Sequence, residues 1–113
     1  MRSENYLQTL HRAIMHYGED LQQIVAMEEM AELTQQISKM LRGKGDLDHL
    51  AEEIADVQIM LDQLVMIYGC SLEVGACRGK KLARLRGRLE ESGKAVKMEK
   101  VDPVYRPGKG VRR

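Results

Sequence analysis

The chain contains no phenylalanine, no tryptophan and only four tyrosines among its 113 residues. Strands and the cores of packed sheets draw heavily on large aromatic side chains, so this scarcity argues against an all-β fold. Only two prolines are present, while 43% of the residues are hydrophobic and 31% are charged. That balance excludes a disordered or collagen-like chain, and the length allows one domain with a modest core.

Long apolar runs are also absent. The longest stretch without a charge covers residues 63–72, which is about half of the roughly 20 apolar residues that cross a bilayer. The opening residues, MRSENYLQTL, lack the apolar segment of a secretory signal. Cys70 and Cys77 are too few for a disulfide scaffold or a four-cysteine zinc site, so we expect both as reduced thiols. We therefore expect a cytoplasmic protein with no membrane partner.

Acidic and basic residues are separated along the chain, although the net charge is only +1. Residues 1–92 carry 15 acids and 11 bases, whereas residues 93–113 carry two acids and seven bases. The last segment also contains both prolines and no helical period, which predicts an extended or disordered basic tail. We divide the chain into a helical domain over residues 1–92 and a tail over residues 93–113.

Glycines and capping residues divide the first part of the chain into four predicted helices. We expect helix caps at Ser3, at Asp46 or Asp48, and at Ser71. Glycines follow the predicted ends of the first three helices. The helices are expected to cover about residues 4–17, 19–41, 47–68 and 72–91.

The two central helices differ in their apolar patterns. The second is apolar on nearly every side, which in so short a chain indicates that a second subunit covers it. The third has apolar residues at alternating steps of three and four, which predicts packing along one face. The predicted fold is thus all-α: a four-helix, bundle-type subunit with antiparallel central helices, assembled into a homodimer or homotetramer. The third-helix seam consists of Leu47, Leu50, Ile54, Val57, Leu61, Leu64 and Tyr68.

Two acidic clusters lie on these central helices. Each places two carboxylates three residues apart, on one helix face, and the short RGKGDLD connection allows the two faces to meet. Either pair alone is common on solvated helices, but matched pairs beside apolar faces favour a metal site. Converging carboxylates stay ionised only beside a cation, and hard oxygen ligands select Mg²⁺ or Mn²⁺. The clusters are Glu28, Glu29 and Glu32 in AMEEMAEL, and Glu52, Glu53 and Asp56 in LAEEIADVQ.

A basic helix follows the acidic clusters. Lys81, Arg84 and Arg88 stand at steps of three and four, which places them on one face of the fourth helix. Together with a metal, such a face can hold a polyphosphate. By itself the same face is also compatible with a solvated surface or a nonspecific nucleic-acid patch.

In this order the motifs resemble those of the MazG-like, all-α nucleoside triphosphate pyrophosphohydrolases, most closely the small single-domain members of phages and prophages. The family pattern of ExxE, then ExxD, then a basic helix matches Glu29–Glu32, Glu53–Asp56 and the KLARL segment, residues 81–85. The resemblance covers about residues 10–90. One position differs, because many relatives have an asparagine where this chain has Leu85, which affects the sugar or phosphate contact made there.

The resemblance implies Mg²⁺-dependent hydrolysis of a nucleoside triphosphate, ribose or deoxyribose, to the monophosphate and pyrophosphate. This activity would serve nucleotide-pool house-cleaning, and family members assemble as dimers or tetramers. The resemblance assigns Glu29, Glu32, Glu53 and Asp56 as metal ligands, Glu28 or Glu29 as the group that orients or deprotonates water, and Lys81, Arg84 and Arg88 as phosphate-binding residues.

Two alternatives stay open at this stage. The same fold can act on another substrate, such as phosphoribosyl-ATP or dCTP. The chain can also be a non-catalytic helical oligomer that binds nucleic acid through residues 78–88 and the basic tail. The enzyme hypothesis, by contrast, expects no nucleic-acid partner.

Overall fold

The computed structural model describes residues 3–93, which form four α-helices and no strand. The prediction of an all-α fold is therefore confirmed for this part of the chain. The predicted tail lies outside the described residues, apart from Gly93. The helices are α1 (Tyr6–Tyr17), α2 (Glu19–Leu41), α3 (Leu47–Tyr68) and α4 (Ser71–Glu91).

Helix α1 is capped by Asn5 and not, as predicted, by Ser3. The Asn5 side chain accepts a hydrogen bond from the backbone N of Gln8 at 2.8 Å, and the Gln8 side chain accepts one from the backbone N of Asn5 at 2.9 Å. This reciprocal pair is a capping box. A cap at Ser3 would make Tyr6 the third residue of the helix, the position that Gln8 now occupies. A tyrosine side chain there could not accept the hydrogen bond from the backbone N of the cap residue. The third residue of the helix therefore decides where α1 begins.

The remaining helix ends follow the predicted signals closely. Asp46 caps α3, since its side chain accepts a hydrogen bond from the backbone N of Asp48 at 3.0 Å. Gly69 ends α3 with a left-handed φ of 61°, a conformation that glycine adopts without a Cβ clash. Ser71 is itself the first helical residue of α4, one position inside the helix that it was predicted to cap.

The chain divides into two compact units between Ser71 and Leu72. The first unit contains α1, α2 and α3. Helices α2 and α3 make its most extensive contact, and α1 packs on both. The connection between α2 and α3 is tight, because a Cβ at Gly45 would lie 2.8 Å from the Cα of Met40.

Helices α2 and α3 are antiparallel, as predicted. The beginning of α2 meets the end of α3, where Gln22 bonds to Gln63 and the Tyr68 hydroxyl donates to Oε1 of Gln23. Helix α1 is tied to α3 by the Tyr6 hydroxyl, which donates to Oδ2 of Asp62 at 2.6 Å. The three helices are thus joined by side-chain hydrogen bonds as well as by apolar contacts.

The buried face of α3 only partly coincides with the predicted seam. Of the seven seam residues only Val57 is buried, while Ile54 and Leu61 remain 40% and 45% exposed. Met60 and Gln63, which do not belong to the seam, are buried instead. The apolar pattern predicts that Gln63 faces solvent. Its side chain is buried because its amide oxygen accepts a hydrogen bond from Gln22. The full set of buried apolar residues in the described chain is Leu10, Ile14, Ala26, Val57 and Met60.

Helix α2 leaves apolar side chains uncovered on several sides within this chain. Ile24 is 46% exposed and Met27 is 60% exposed. Exposed apolar residues that adjoin one another on a helix are typical of subunit interfaces, whereas single ones are ordinary. The others on α2 are Leu21, Met30, Ile37 and Leu41. None of the described helices combines the length and apolarity required of a membrane span.

We predict that Leu10→Ala lowers the free energy of unfolding by about 2–5 kcal/mol, because it removes a buried side chain from a small core. Leu10 is 3% exposed, while Leu7, one turn earlier on α1, is 61% exposed. Leu7→Ala is therefore the matched control and should change stability by less than about 0.5 kcal/mol. Urea unfolding followed by circular dichroism measures both. Equal effects of the two substitutions would contradict this packing of α1.

Candidate metal centre

Three of the four predicted metal ligands converge between α2 and α3. Glu29 of α2 meets Glu53 and Asp56 of α3, and one carboxylate oxygen from each lies within 4.8 Å of those from the other two. We call these three residues the carboxylate site. All three are partly buried. The antiparallel packing of α2 and α3 brings this site together, since it places the middle of one helix beside the first half of the other.

Glu32, the fourth predicted ligand, borders the carboxylate site. It lies one turn beyond Glu29 on α2 and is exposed. Its charge raises the pKa of both Glu29 and Glu53, so it stands within electrostatic reach of both helices. An exposed carboxylate at the rim of a site can turn toward a cation with little rearrangement.

Two members of the carboxylate site, Glu29 and Glu53, resist ionisation. The pKa of Glu29 is raised to about 7, firstly by burial and then by the charge of Asp56, with further contributions from Glu32 and Glu53. The pKa of Glu53 is also raised, firstly by burial and then by neighbouring carboxylates including Glu32 and Asp56. Burial and like charge both disfavour the ionised form. A positive charge beside Glu29 and Glu53 would therefore favour their ionised forms.

One oxygen of the site has no partner. Oε1 of Glu53 is buried and forms no hydrogen bond within the part of the chain that the structure describes. Burying an acceptor without a partner is unfavourable. A divalent cation would both coordinate this oxygen and offset the repulsion among the acids. Carboxylate oxygens alone form the hard donor set that Mg²⁺ and Mn²⁺ prefer, so the residues present fit either ion.

The other predicted acids lie outside the carboxylate site. Glu28, predicted as an alternative to Glu29 for activating water, is exposed and is not one of the converging residues. Glu52 is exposed as well, and its charge adds to the raised pKa of Glu53. The structure thus distinguishes Glu29 from Glu28 by position and by environment, although both stand in the same motif.

The predicted phosphate-binding residues lie on α4, in the second unit of the chain. Lys81, Arg84 and Arg88 are exposed, and none of them forms an ion pair across residues 3–93. Leu85, where relatives often have asparagine, is 50% exposed on the same helix. Helix α4 therefore presents an uncompensated basic face.

The two units carry opposite charges. Residues 1–71 have 12 acids and five bases, a net charge of −7, whereas residues 72–113 have five acids and 13 bases, a net charge of +8. The unit that contains the carboxylate site is therefore strongly acidic, and the unit that contains the basic face is strongly basic.

One feature near the site was missed by sequence reasoning. Gln22 and Gln63 form a buried hydrogen bond between α2 and α3, at 7% and 4% exposure. A polar residue inside an otherwise apolar helical stripe is the signal that could have identified them. We call these two residues the glutamine pair.

Comparisons with protein-family models, with curated proteins and with solved structures found no match to this chain.

We predict that Mg²⁺ stabilises the protein more strongly at pH 8 than at pH 5. Raising the pKa of Glu29 from 4.5 to about 7 means that the folded state holds this proton more tightly than the unfolded state. The resulting stabilisation is fully present below about pH 4.5 and is lost as the pH rises through about 7. A bound cation displaces the proton and should reverse that loss. Melting temperatures in EDTA and in millimolar Mg²⁺ measure the effect across this range.

Glu29→Gln is the control for this prediction, because the amide does not titrate. The variant should lose most of the pH dependence of its melting temperature between pH 5 and pH 7, both with and without Mg²⁺. Equal stabilisation of the parent protein by Mg²⁺ at pH 5 and pH 8 would contradict the coupling of proton and cation at Glu29.

Proposed function

We propose that this chain is a Mg²⁺-dependent nucleoside triphosphate pyrophosphohydrolase of the MazG-like family, which converts an NTP or dNTP and water into the monophosphate and pyrophosphate. One observation carries the proposal. Three carboxylates from the ExxE and ExxD motifs meet between two antiparallel helices, and one of their buried oxygens has no partner among residues 3–93. Such a group of oxygen donors suits a metal that assists phosphoryl transfer.

In the proposed reaction, Glu29, Glu53 and Asp56 would hold Mg²⁺, and Glu32 would be the fourth ligand. When bound, Mg²⁺ supplies the charge that polarises the phosphoryl oxygens and lowers the pKa of a nearby water. Water attacks the α-phosphorus, the bond from this phosphorus to the bridging oxygen breaks, and pyrophosphate leaves. The water gives its proton to a carboxylate of the chain.

Glu29 is the better supported of the two groups proposed to receive that proton. Without a bound cation its pKa is raised to about 7, which suits proton transfer at neutral pH. Glu28 is exposed and lies outside the carboxylate site. Cation binding by Glu29 lowers its basicity, which leaves Glu28 as the second candidate.

The basic face of α4 is proposed to bind the outer phosphates. Lys81, Arg84 and Arg88 form no ion pair in the described chain, so their charge is available to a ligand. One guanidinium group can donate hydrogen bonds to two phosphate oxygens at once, and a lysine ammonium group adds a compact positive charge. In this way the bases would neutralise the part of the triphosphate that the metal does not.

A homodimer or homotetramer is part of the proposal. The apolar side chains that α2 leaves exposed, such as Ile24 and Met27, support a subunit interface. We further propose a cytoplasmic protein that removes unwanted nucleotides, without a membrane or nucleic-acid partner.

We predict that Glu53→Gln lowers turnover at least about 100-fold and leaves the fold intact, because an amide neither supplies the ligand charge nor repels its neighbours. Glu52→Gln changes the adjacent, exposed residue and should retain turnover within a few-fold. The assay is pyrophosphate release from canonical and damaged NTPs and dNTPs, with Mg²⁺ and with EDTA. The same panel includes phosphoribosyl-ATP and dCTP. The compound with the highest turnover identifies the preferred substrate.

The same assay tests the non-catalytic alternative. No release from any triphosphate by a folded protein would contradict the enzyme hypothesis. If that protein bound nucleic acid with an affinity that fell steeply with salt and was lost on deleting residues 94–113, the alternative would replace it. The enzyme hypothesis expects turnover to survive this deletion.

We also predict that Arg84→Ala raises KM for the triphosphate roughly tenfold or more, because a charge-assisted hydrogen bond to a phosphate is lost. Arg86→Ala removes the same charge from nearly the opposite side of α4 and should change KM by less than about threefold. Equal effects of the two variants would show that general charge, and not a specific face, attracts the substrate. Steady-state kinetics at two salt concentrations separates these outcomes.

A further inference from the structure

The glutamine pair is the only pair of polar residues buried in the core of the described chain. Nε2 of Gln22 donates to Oε1 of Gln63 at 2.7 Å, between residues 41 positions apart in the sequence. The Gln63 amide also lies 3.6 Å from the sulfur of Met60, which is a weak acceptor. The two amides thus depend mainly on one another inside an apolar interface.

The pair has the same antiparallel register as the carboxylate site. Glu29 follows Gln22 by seven residues on α2, and Asp56 precedes Gln63 by seven residues on α3. Seven residues are close to two helical turns, so each glutamine and its acid share one face of their helix. A register that pairs Gln22 with Gln63 therefore also places Glu29 beside Asp56.

Apolar burial and electrostatics between α2 and α3 do not select this register. Helix α2 has apolar side chains on several sides, so a slide by one turn would still bring apolar groups against α3. The converging carboxylates repel one another and favour any slide that separates them. Hydrophobic burial is non-directional, and electrostatics without a cation opposes the observed arrangement.

Outside the core, a slide by one turn would strain the tight connection at Gly45 and break the exposed Tyr68–Gln23 bond. Within the core, its main cost would fall on the glutamines. Each amide would then face apolar neighbours and lose its partner in a buried environment, which is strongly unfavourable. A single buried polar pair is known to specify helix register in this way. Resting on the function proposed above, we propose that the glutamine pair locks the register of α2 and α3, so that Gln22 and Gln63 are positioning residues for the metal-binding carboxylates.

The test compares the full-length chain with the double variant Gln22→Met/Gln63→Met. Methionine is unbranched and close to glutamine in length, so replacing both partners should keep the melting temperature within a few degrees. The single variant Gln22→Met leaves the Gln63 amide unpaired and should melt several degrees lower. Tyr68→Phe is the matched control, since it removes another hydrogen bond between the same helices, at a residue that is 65% exposed and accessible to water.

Register is measured first, without metal. Spin labels are attached to cysteines introduced at Gln35 and Gln58, both exposed, in a background with Cys70→Ser and Cys77→Ser. Labelled chains are diluted with unlabelled ones, and pulsed electron paramagnetic resonance gives the distance between labels in EDTA. We expect one narrow distribution for the parent and the Tyr68 control. The double variant should give a broadened or second distribution, because a slide of one turn moves one helix about 5 Å along the other.

Cation binding is measured next, by titration with Mn²⁺. We expect the double variant to bind Mn²⁺ at least about tenfold more weakly than the parent, at an unchanged melting temperature in EDTA. An unchanged label distance would overturn the inference, as would a changed distance with unchanged Mn²⁺ affinity. A double variant that does not fold would assign the pair to stability alone and overturn it as well. A parent protein that binds no Mn²⁺ contradicts the proposed function instead, and the label distances still decide whether the pair sets the register.

Discussion

Repulsion among carboxylates that meet between two packed helices is the constraint on which this protein depends. The antiparallel contact of α2 and α3 brings Glu29, Glu53 and Asp56 within 4.8 Å of one another, with Glu32 at the rim. Burial and mutual charge raise the pKa of Glu29 to about 7. The folded chain therefore maintains an arrangement that is unfavourable without a proton or a cation. Functional sites are commonly destabilising in this way, and the surrounding structure must compensate.

The compensation comes from a small set of contacts. Five apolar residues are buried in the described chain, and the glutamine pair lies among them. Tyr6 with Asp62, and Tyr68 with Gln23, add hydrogen bonds between helices at exposed positions. Such bonds contribute little to stability where water competes for the same groups. Within the core, the directional interaction between the helices is therefore mainly the hydrogen bond of the two glutamines. Apolar residues left uncovered on α2 leave room for further stabilisation by a second subunit, as we propose.

Charge separation gives the chain two chemically distinct parts. The unit with the carboxylate site has a net charge of −7, and the unit with α4 has a net charge of +8. An acidic unit attracts cations, and a basic unit attracts anions such as phosphate groups.

The sequence by itself determined the helices and the motifs, because caps, glycines and three-residue spacings act locally. It predicted the approximate bounds of α2 and α3, their antiparallel order and three carboxylates that converge. It misplaced the cap of α1, where Gln8 completes a box with Asn5, and the cap of α4, where Ser71 is already helical. Tertiary structure decided which face of α3 is buried, since Gln63 enters the core only when Gln22 pairs with it. It also separated Glu29 from Glu28, because burial and the charge of Asp56 exist only after the helices pack.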